Sequence, residues 1–299
     1  MDLRSAHNFE HLGSNLLCLL NAVAPCVDYL YTMPNSHSNY LNVNRQLWND
    51  RVPVHINSSF YDVAAFKLSK NSLNPIELAL LGDVNKQHWL HLQCHFGMDT
   101  LSLSQRGAIV TGLDFSEKAI DAARNLSKEL QLPATFICSE VYATPESLNH
   151  QFDGVFTSYG TIGWLPNLNA WAATIARCLK TNGVFVMADF HPVIWMYDNA
   201  IQHITYSYFN RETIFETEEG TYAQTDAALQ HTSISWNHPI SDILNALISA
   251  GLRIDVFNEY DYSPYACFPN MVETQPGQFQ RSEWQGKVPW VYAIKAVKQ

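Results

Sequence analysis

Two stretches carry residue types in an order that suggests a nucleotide site. Trp89-Leu-His-Leu-Gln-Cys-His-Phe-Gly97 runs an apolar segment into a turn, and Ile109-Val-Thr-Gly-Leu-Asp114-Phe-Ser116 runs a second apolar segment into an acid. In a doubly wound sheet the first strand-to-helix turn meets the ligand with its backbone, and a carboxylate about twenty residues on accepts from the ribose hydroxyls. Asp114 stands where that carboxylate belongs. The alternative, an acid that merely caps the next helix, competes with Ser116, which is already a good cap.

Histidines and cysteines near the turn invite a metal reading, since His88, His91, Cys94 and His95 are all zinc-ligand types. On an extended strand His91 and Cys94 point to opposite faces, so one ion cannot gather them and no metal site is expected. His191 follows Asp189 by two residues at the end of an apolar run. It is a candidate general base, because neutral imidazole titrates near physiological pH, or else a histidine satisfied in a loop. His238, in Trp236-Asn-His-Pro, is a further candidate on the same grounds. The aromatic residues Trp48, Phe60, Tyr61, Trp164, Trp195, Tyr197 and Trp236 fall outside the expected regular elements, and some of them are expected to line a pocket.

The elements that must position these residues follow from periodicity. Asn74 with Pro75 opens a short helix to Leu81, and Ser116 caps one whose apolar face is Ala119, Ile120, Ala123, Leu126 and Leu130 before Pro133 ends it. Ala134 to Cys138 and Phe152 to Ser158 read as strands. A helical stripe from Leu168 to Leu179 is expected to stop at Thr181-Asn-Gly183 in left-handed conformation, before a strand from Val184 to Asp189. A helix over Ile240 to Ala250 and strands over Leu252 to Phe257 and Trp290 to Val297 close the chain. Strands separated by helices imply a mostly parallel sheet covered on both faces, and the two late strands, joined without a helix, imply an antiparallel end.

The 299 residues, 47% of them hydrophobic, suffice for one large domain with insertions. Residues 1–44 are expected to be a poorly ordered tail, with Met33 as an alternative start; 45–299 form the domain, with an N-terminal lid segment over 45–75 and an irregular insert over 191–238. A net charge of −10 without any basic run argues against nucleic acid and for a small molecule. Leu16 to Tyr31 lacks a basic flank and is broken by Pro25 and Asp28, so neither a signal peptide nor a membrane anchor is expected. The six cysteines have no framework spacing and read as reduced thiols of a cytoplasmic protein. Composition leaves the oligomeric state open.

The order of elements, Gly-Leu-Asp114-Phe-Ser, Phe152-Asp-Gly-Val-Phe-Thr-Ser, Cys178-Leu-Lys-Thr-Asn-Gly and the terminal strand pair together resemble the class I, Rossmann-like S-adenosylmethionine-dependent methyltransferases. The resemblance implies an α/β fold in three layers, a doubly wound, seven-stranded and mostly parallel sheet with an antiparallel last strand. It implies S-adenosylmethionine as cofactor and in-line methyl transfer to a small-molecule acceptor of unspecified class. It also implies that Gln93, Cys94, His95, Phe96, Gly97 and Asp99 lie along the methionine end, Asp114, Phe115 and Ser116 at the ribose, and Glu140 and Val141 at the adenine. Ser158, Tyr159 and Gly160 would stand where the methyl meets the acceptor, with His191 and Tyr159 the catalytic candidates. Tyr61, Trp164, His191 and His238 are the expected acceptor contacts. The family loop usually reads acid-x-Gly-x-Gly-x-Gly; here those positions hold His91, Gln93, His95 and Gly97. Leu-Gln-Cys-His-Phe-Gly with an upstream Trp48-Asn-Asp-Arg51-Val-Pro is similar to a bacterial subgroup of that superfamily.

Two rival readings remain. A nicotinamide-dependent oxidoreductase would need Gly-x-Gly-x-x-Gly to seat a pyrophosphate, and only Gly97 fits. A non-catalytic cofactor-binding or interaction domain draws its support from the altered loop.

Overall fold

The computed structural model describes residues 39–299, so Leu16 to Tyr31, Met33, Cys18 and Cys26 lie outside the described residues. Three helices come first: α1 (Tyr40–Asn57), α2 (Val63–Ser69) and α3 (Pro75–Leu81). Helix α1 includes residues 40–44, which the sequence reading assigned to the tail. Asn44 is buried there and exchanges two hydrogen bonds with the backbone of Ile234, donating to its carbonyl at 2.8 Å and accepting from its N–H at 3.0 Å. At α3 Asn74 is the N-cap with Pro75 in the first turn, as the sequence suggests, and Glu77 completes a capping box.

Strands and helices then alternate: β1 (His88–Leu92), α4 (Met98–Gln105), β2 (Ile109–Asp114), α5 (Glu117–Leu130), β3 (Ala134–Cys138), β4 (Phe152–Ser158), α6 (Leu168–Cys178) and β5 (Leu179–Phe190). After them come β6 (Ile214–Glu219), β7 (Gln230–Ser235), α7 (Ile240–Ser249), β8 (Leu252–Tyr260), β9 (Met271–Gln275), β10 (Gln278–Arg281) and β11 (Val291–Lys298). The central sheet has seven strands in the order β3-β2-β1-β4-β5-β11-β8. Strands β1 to β5 run parallel, and β11 is inserted antiparallel between β5 and β8. Neighbours β1 and β4 lead the chain away in opposite directions, which opens a crevice above their carboxyl ends, the usual ligand position in such sheets.

Both faces of the sheet are covered. Leu90, Leu92, Val155, Phe185 and Ile294 are fully buried against α6 and α7. Trp89, Val110, Phe156 and Val186 face α3 on the other side. Each such side chain contributes about 1.5–3 kcal/mol on burial, so the strands are held by near-continuous apolar runs. Helix α5 is capped as expected, Ser116 Oγ accepting from the N–H of Ala119 at 3.1 Å.

Two expectations fail here. Helix α6 stops at Cys178, and Thr181-Asn182-Gly183 lies inside β5 as an irregularity in its pairing with β4, where Asn182 takes a φ of 63°. The segment expected to be irregular contains the antiparallel pair β6–β7, and a second pair, β9–β10, follows β8. Among the described residues no helix is long and apolar enough to cross a membrane.

Candidate functional site

A cavity of about 1250 Å³ opens above β1 and β4. One wall is the sheet edge; the other is made by α1, the turn before α2, the β6–β7 ribbon and residues 265–269. Ordinary small-molecule sites occupy about 300–1,000 Å³, so this one has room for two ligands.

The loop after β1 forms the floor. Gln93 (φ 54°), His95 (φ 50°) and Gly97 (φ 83°) all adopt left-handed backbone, at the three positions where the family loop carries glycine. The glycine-type path survives the substitutions, at a cost of roughly 1–2 kcal/mol for each residue bearing a Cβ. Side-chain anchors offset that cost. Gln93 Nε2 donates to the carbonyl of Thr161 at 2.9 Å, crossing from the β1 loop to the β4 loop. His95 packs against Trp48, His55, Tyr61 and Phe96, with ring centroids 4.4–5.5 Å apart. Only the last position must be glycine: a Cβ on Gly97 would lie 2.9 Å from the Phe136 ring and 3.0 Å from Ala123 Cβ. That closeness is what seats α5 against the sheet.

Asp114 ends β2 and is buried, yet it lines the cavity. Its Oδ2 accepts from His95 N–H and its Oδ1 from Ser116 N–H, each at 2.9 Å, so it ties the first loop to the second. Burial pushes its carboxyl up to about 6, against the pull of those N–H groups. Asp99, in the first turn of α4, accepts from Ser72 Oγ at 2.5 Å and Ser158 Oγ at 2.8 Å. Glu140 is half-buried, accepts from Tyr142 N–H at 3.0 Å, and is raised above the ordinary carboxylate range by burial.

Several buried polar atoms around this floor have no partner within the described residues. They include Gln93 Oε1, His95 Nε2, His91 Nε2 and Arg51 Nε, all from cavity-lining residues. Such atoms cost about 1–3 kcal/mol each unless a ligand or water meets them. Burial keeps the imidazoles neutral, lowering His91 to about 4, His95 to about 3 and His55, also pressed by His95 and Arg51, to about 2.

The structure brings Gln93, Cys94, His95, Phe96, Gly97, Asp99, Asp114, Phe115, Glu140, Val141, Ser158, Tyr159 and Gly160 to one cavity, together with Tyr61 and Trp164. Four expectations are corrected. Ser116 is fully buried beneath α1, its hydroxyl engaged with Asn49 Oδ1 at 2.7 Å and with the α5 cap. His191 lies outside the cavity: its Nε2 meets Glu259 Oε1 at 2.9 Å and its Nδ1 accepts from Val193 N–H at 3.2 Å. With both ring nitrogens occupied it is not placed to take a proton from a ligand. His238 is also outside, its Nε2 on the carbonyl of Leu165 at 2.8 Å. Tyr159 lines the cavity with its ring, but its hydroxyl donates to buried Glu77 at 2.7 Å, and burial beside Glu77 holds the phenol well above its ordinary range. It is a wall, not an acid or base.

Asp189 does what was not anticipated. Its carboxylate accepts from the backbone N–H groups of Gly160, Thr161, Ile162 and Phe190 and so shapes the β4 rim. All seven aromatics singled out from the sequence line the cavity, although Trp48 sits within α1. The sequence reading missed Tyr222, Glu216, Glu218 and Asn237. The cover is fastened by Arg51 to Glu218 at 3.3 Å and by the Tyr61 and Tyr222 hydroxyls at 2.5 Å. Arg51, already visible in Trp48-Asn-Asp-Arg51-Val-Pro, was the available signal for that wall.

Comparison with known proteins bears on the family of residues 90–183 and on the fold. Residues 90–183 match the family described as "Methyltransferase domain". A ubiquinone biosynthesis O-methyltransferase of Coxiella burnetii is 33% identical over 114 residues, which is 37% of this chain and 48% of that protein. An uncharacterized methyltransferase of Synechocystis sp. is likewise 33% identical over 114 residues, or 37% of this chain and 51% of that protein. The chain thus spans about half the length of the relatives it matches. Among solved structures, an S-adenosylmethionine-dependent methyltransferase from Mesorhizobium loti superposes with a TM-score of 0.51 at 18% identity, covering 75% of this chain and 96% of that one. Geranyl diphosphate C-methyltransferase from Streptomyces coelicolor A3(2), in complex with Mg2+, geranyl diphosphate and S-adenosyl-L-homocysteine, gives 0.55 at 13% identity, covering 89% and 100%. The fold is therefore the Rossmann-like fold seen in class I methyltransferases, and residues 90–183 are similar to the methyltransferase domain family.

Proposed function

We propose that the protein transfers a methyl group from S-adenosylmethionine to a small-molecule acceptor held under the cover formed by α1 and β6–β7. The observation that carries this reading is the β1 loop. It keeps three left-handed residues without two of the glycines, and it surrounds the cavity floor with buried polar atoms that lack partners. A strained path maintained by side-chain anchors is what a ligand-binding loop retains.

The residues present fit the cofactor. Asp114 would accept from the ribose hydroxyls and Glu140 from the adenine amino group. Gln93 Oε1 and Asp99 are acceptors suited to an ammonium, and Phe115 and Val141 supply apolar walls. When bound, the cofactor supplies an activated methyl on a sulfonium, displaced in line by the acceptor. The chain contributes positioning and exclusion of water, worth on the order of 7–11 kcal/mol for well-aligned reactants. Asp189 fixes the Gly160–Ile162 rim, and Trp48 and Trp164, 5.4 Å apart edge to face, close the wall beside it. With His191 and Tyr159 engaged elsewhere, the reading is a positional enzyme. The scattered thiols and acidic balance support a cytoplasmic, non-nucleic-acid setting.

Incubation with isotopically labelled S-adenosylmethionine and a small-molecule extract tests it. Acceptor-dependent release of S-adenosylhomocysteine is expected. Cofactor binding without any turnover would point instead to a non-catalytic cofactor-binding domain.

A further inference from the structure

Resting on the methyltransferase reading, we propose that the acceptor is a small organic amine, held by its N–H groups between Asn237 Oδ1 and the Glu216 carboxylate and walled by aromatic rings.

Asn237 is buried at 2% exposure, lines the cavity, and leaves its Oδ1 without a partner within the described residues. Its orientation is fixed, because Nδ2 uses both hydrogens on the carbonyls of Pro192 at 3.2 Å and Ser207 at 3.5 Å. The unpartnered atom is therefore an acceptor that an N–H or O–H of a ligand, or a water, would satisfy. It also stands at the right place. The preceding residue, Trp236, donates its backbone N–H to the carbonyl of Gly163 at 2.8 Å, which pins Asn237 beside the rim following β4.

Charge decides between the two kinds of donor. Tyr206, next to the Ser207 that Asn237 grips, gives its hydroxyl to Glu216 Oε1 at 2.6 Å. No bond within the described residues engages Glu216 Oε2. The same wall carries Glu218, Glu219 and Asp198, against one lining guanidinium, Arg51, which Glu218 already pairs. Around them stand Trp48, Trp164, Trp236 and Tyr197, whose π faces attract cations. A carboxylate or phosphate acceptor would meet repulsion here, a neutral alcohol indifference, and an ammonium attraction.

The chemistry suits that surface. The arriving ammonium gives a proton to water, and the nitrogen lone pair forms the new N–C bond while the S–C bond breaks with its electron pair kept by sulfur. Positive charge passes from sulfur to nitrogen, so the walls see a cation before and after, and the product sheds a proton to solvent.

The test uses phenethylamine, phenethyl alcohol and phenylacetate, one skeleton with cationic, neutral and anionic heads, titrated into the protein saturated with S-adenosylhomocysteine. The amine should bind about tenfold or more tighter than the alcohol, with the acid weakest, and Glu216→Gln should erase that order while S-adenosylhomocysteine affinity stays within about twofold. Equal binding of the three, binding of none, or a preference that survives Glu216→Gln overturns the amine. Failure to bind S-adenosylhomocysteine at all overturns the methyltransferase reading beneath it.

Discussion

The two walls of the cavity are built on different principles. On the sheet side, each functional group sits at the carboxyl end of a strand or in the loop that follows, and its place is dictated by parallel topology and backbone hydrogen bonds. Asp114 and Asp189 work this way, each holding loop N–H groups. The cover has no such scaffold. It is assembled from segments distant in sequence, joined by side chains: Arg51 to Glu218, Tyr61 to Tyr222, and Asn44 to Ile234. A site of this kind can keep its cofactor end rigid while the acceptor end changes with a few residues.

The comparison breaks hardest at Asp189. Asp189→Ala should strand several buried N–H groups at about 1–3 kcal/mol each, so chemical denaturation should show a loss of at least about 3 kcal/mol. A loss below about 1 kcal/mol would mean that the rim does not depend on that carboxylate. On the cover, Arg51→Met should cost less, about 1–3 kcal/mol, because Glu218 stays half-exposed to water. It should raise protease sensitivity of the β6–β7 ribbon more than it alters cofactor affinity, and equal damage to both would erase the distinction between the walls.

Where the walls meet, protonation reports their dryness. His55, His91 and His95 are held neutral, so the stability they confer is present above about pH 6.5 and is lost as pH falls through that value toward their folded ones. Asp114 and Glu77, raised by burial to about 6 and about 7, act in the opposite sense. What they withhold at neutral pH returns as pH falls through those values toward about 4. Proton NMR should therefore show the His55 and His95 rings unchanged between pH 7.5 and 5, and ordinary titration near 6.5 would show that the junction is wet. The smallest effect is expected from Gln93→Gly. Relief of about 1–2 kcal/mol of backbone strain nearly balances the lost bond to Thr161, so the melting temperature should hardly move.

The same contrast explains what the sequence discloses. Strands of the central sheet are apolar runs separated by capped helices, so Asp114 and the β1 loop follow from pattern and spacing, while Glu140 follows from the family resemblance. On the cover the lid segment and its aromatics are legible, but the β6–β7 ribbon is not, because it inverts the usual rule. On β6 the aromatic Phe215 is 59% exposed while Glu216 and Glu218 line the cavity, so hydrophobic alternation gives no strand signal. His191 misled for a related reason. Position after a strand-ending acid says where the backbone goes, but not that the ring would turn to Glu259. The stop expected at Asn182-Gly183 failed because a left-handed residue suits a bulge as well as a helix end.

The central claim is that the sheet wall binds S-adenosylmethionine through Asp114. Calorimetric titration of S-adenosylhomocysteine into the wild-type chain and Asp114→Ala, with folding of both verified, tests it most directly. The account predicts saturable binding at one site that weakens in the variant by about 1.5–3 kcal/mol, roughly ten- to 150-fold. Equal affinity for the two proteins, or no binding to the wild type, would contradict it.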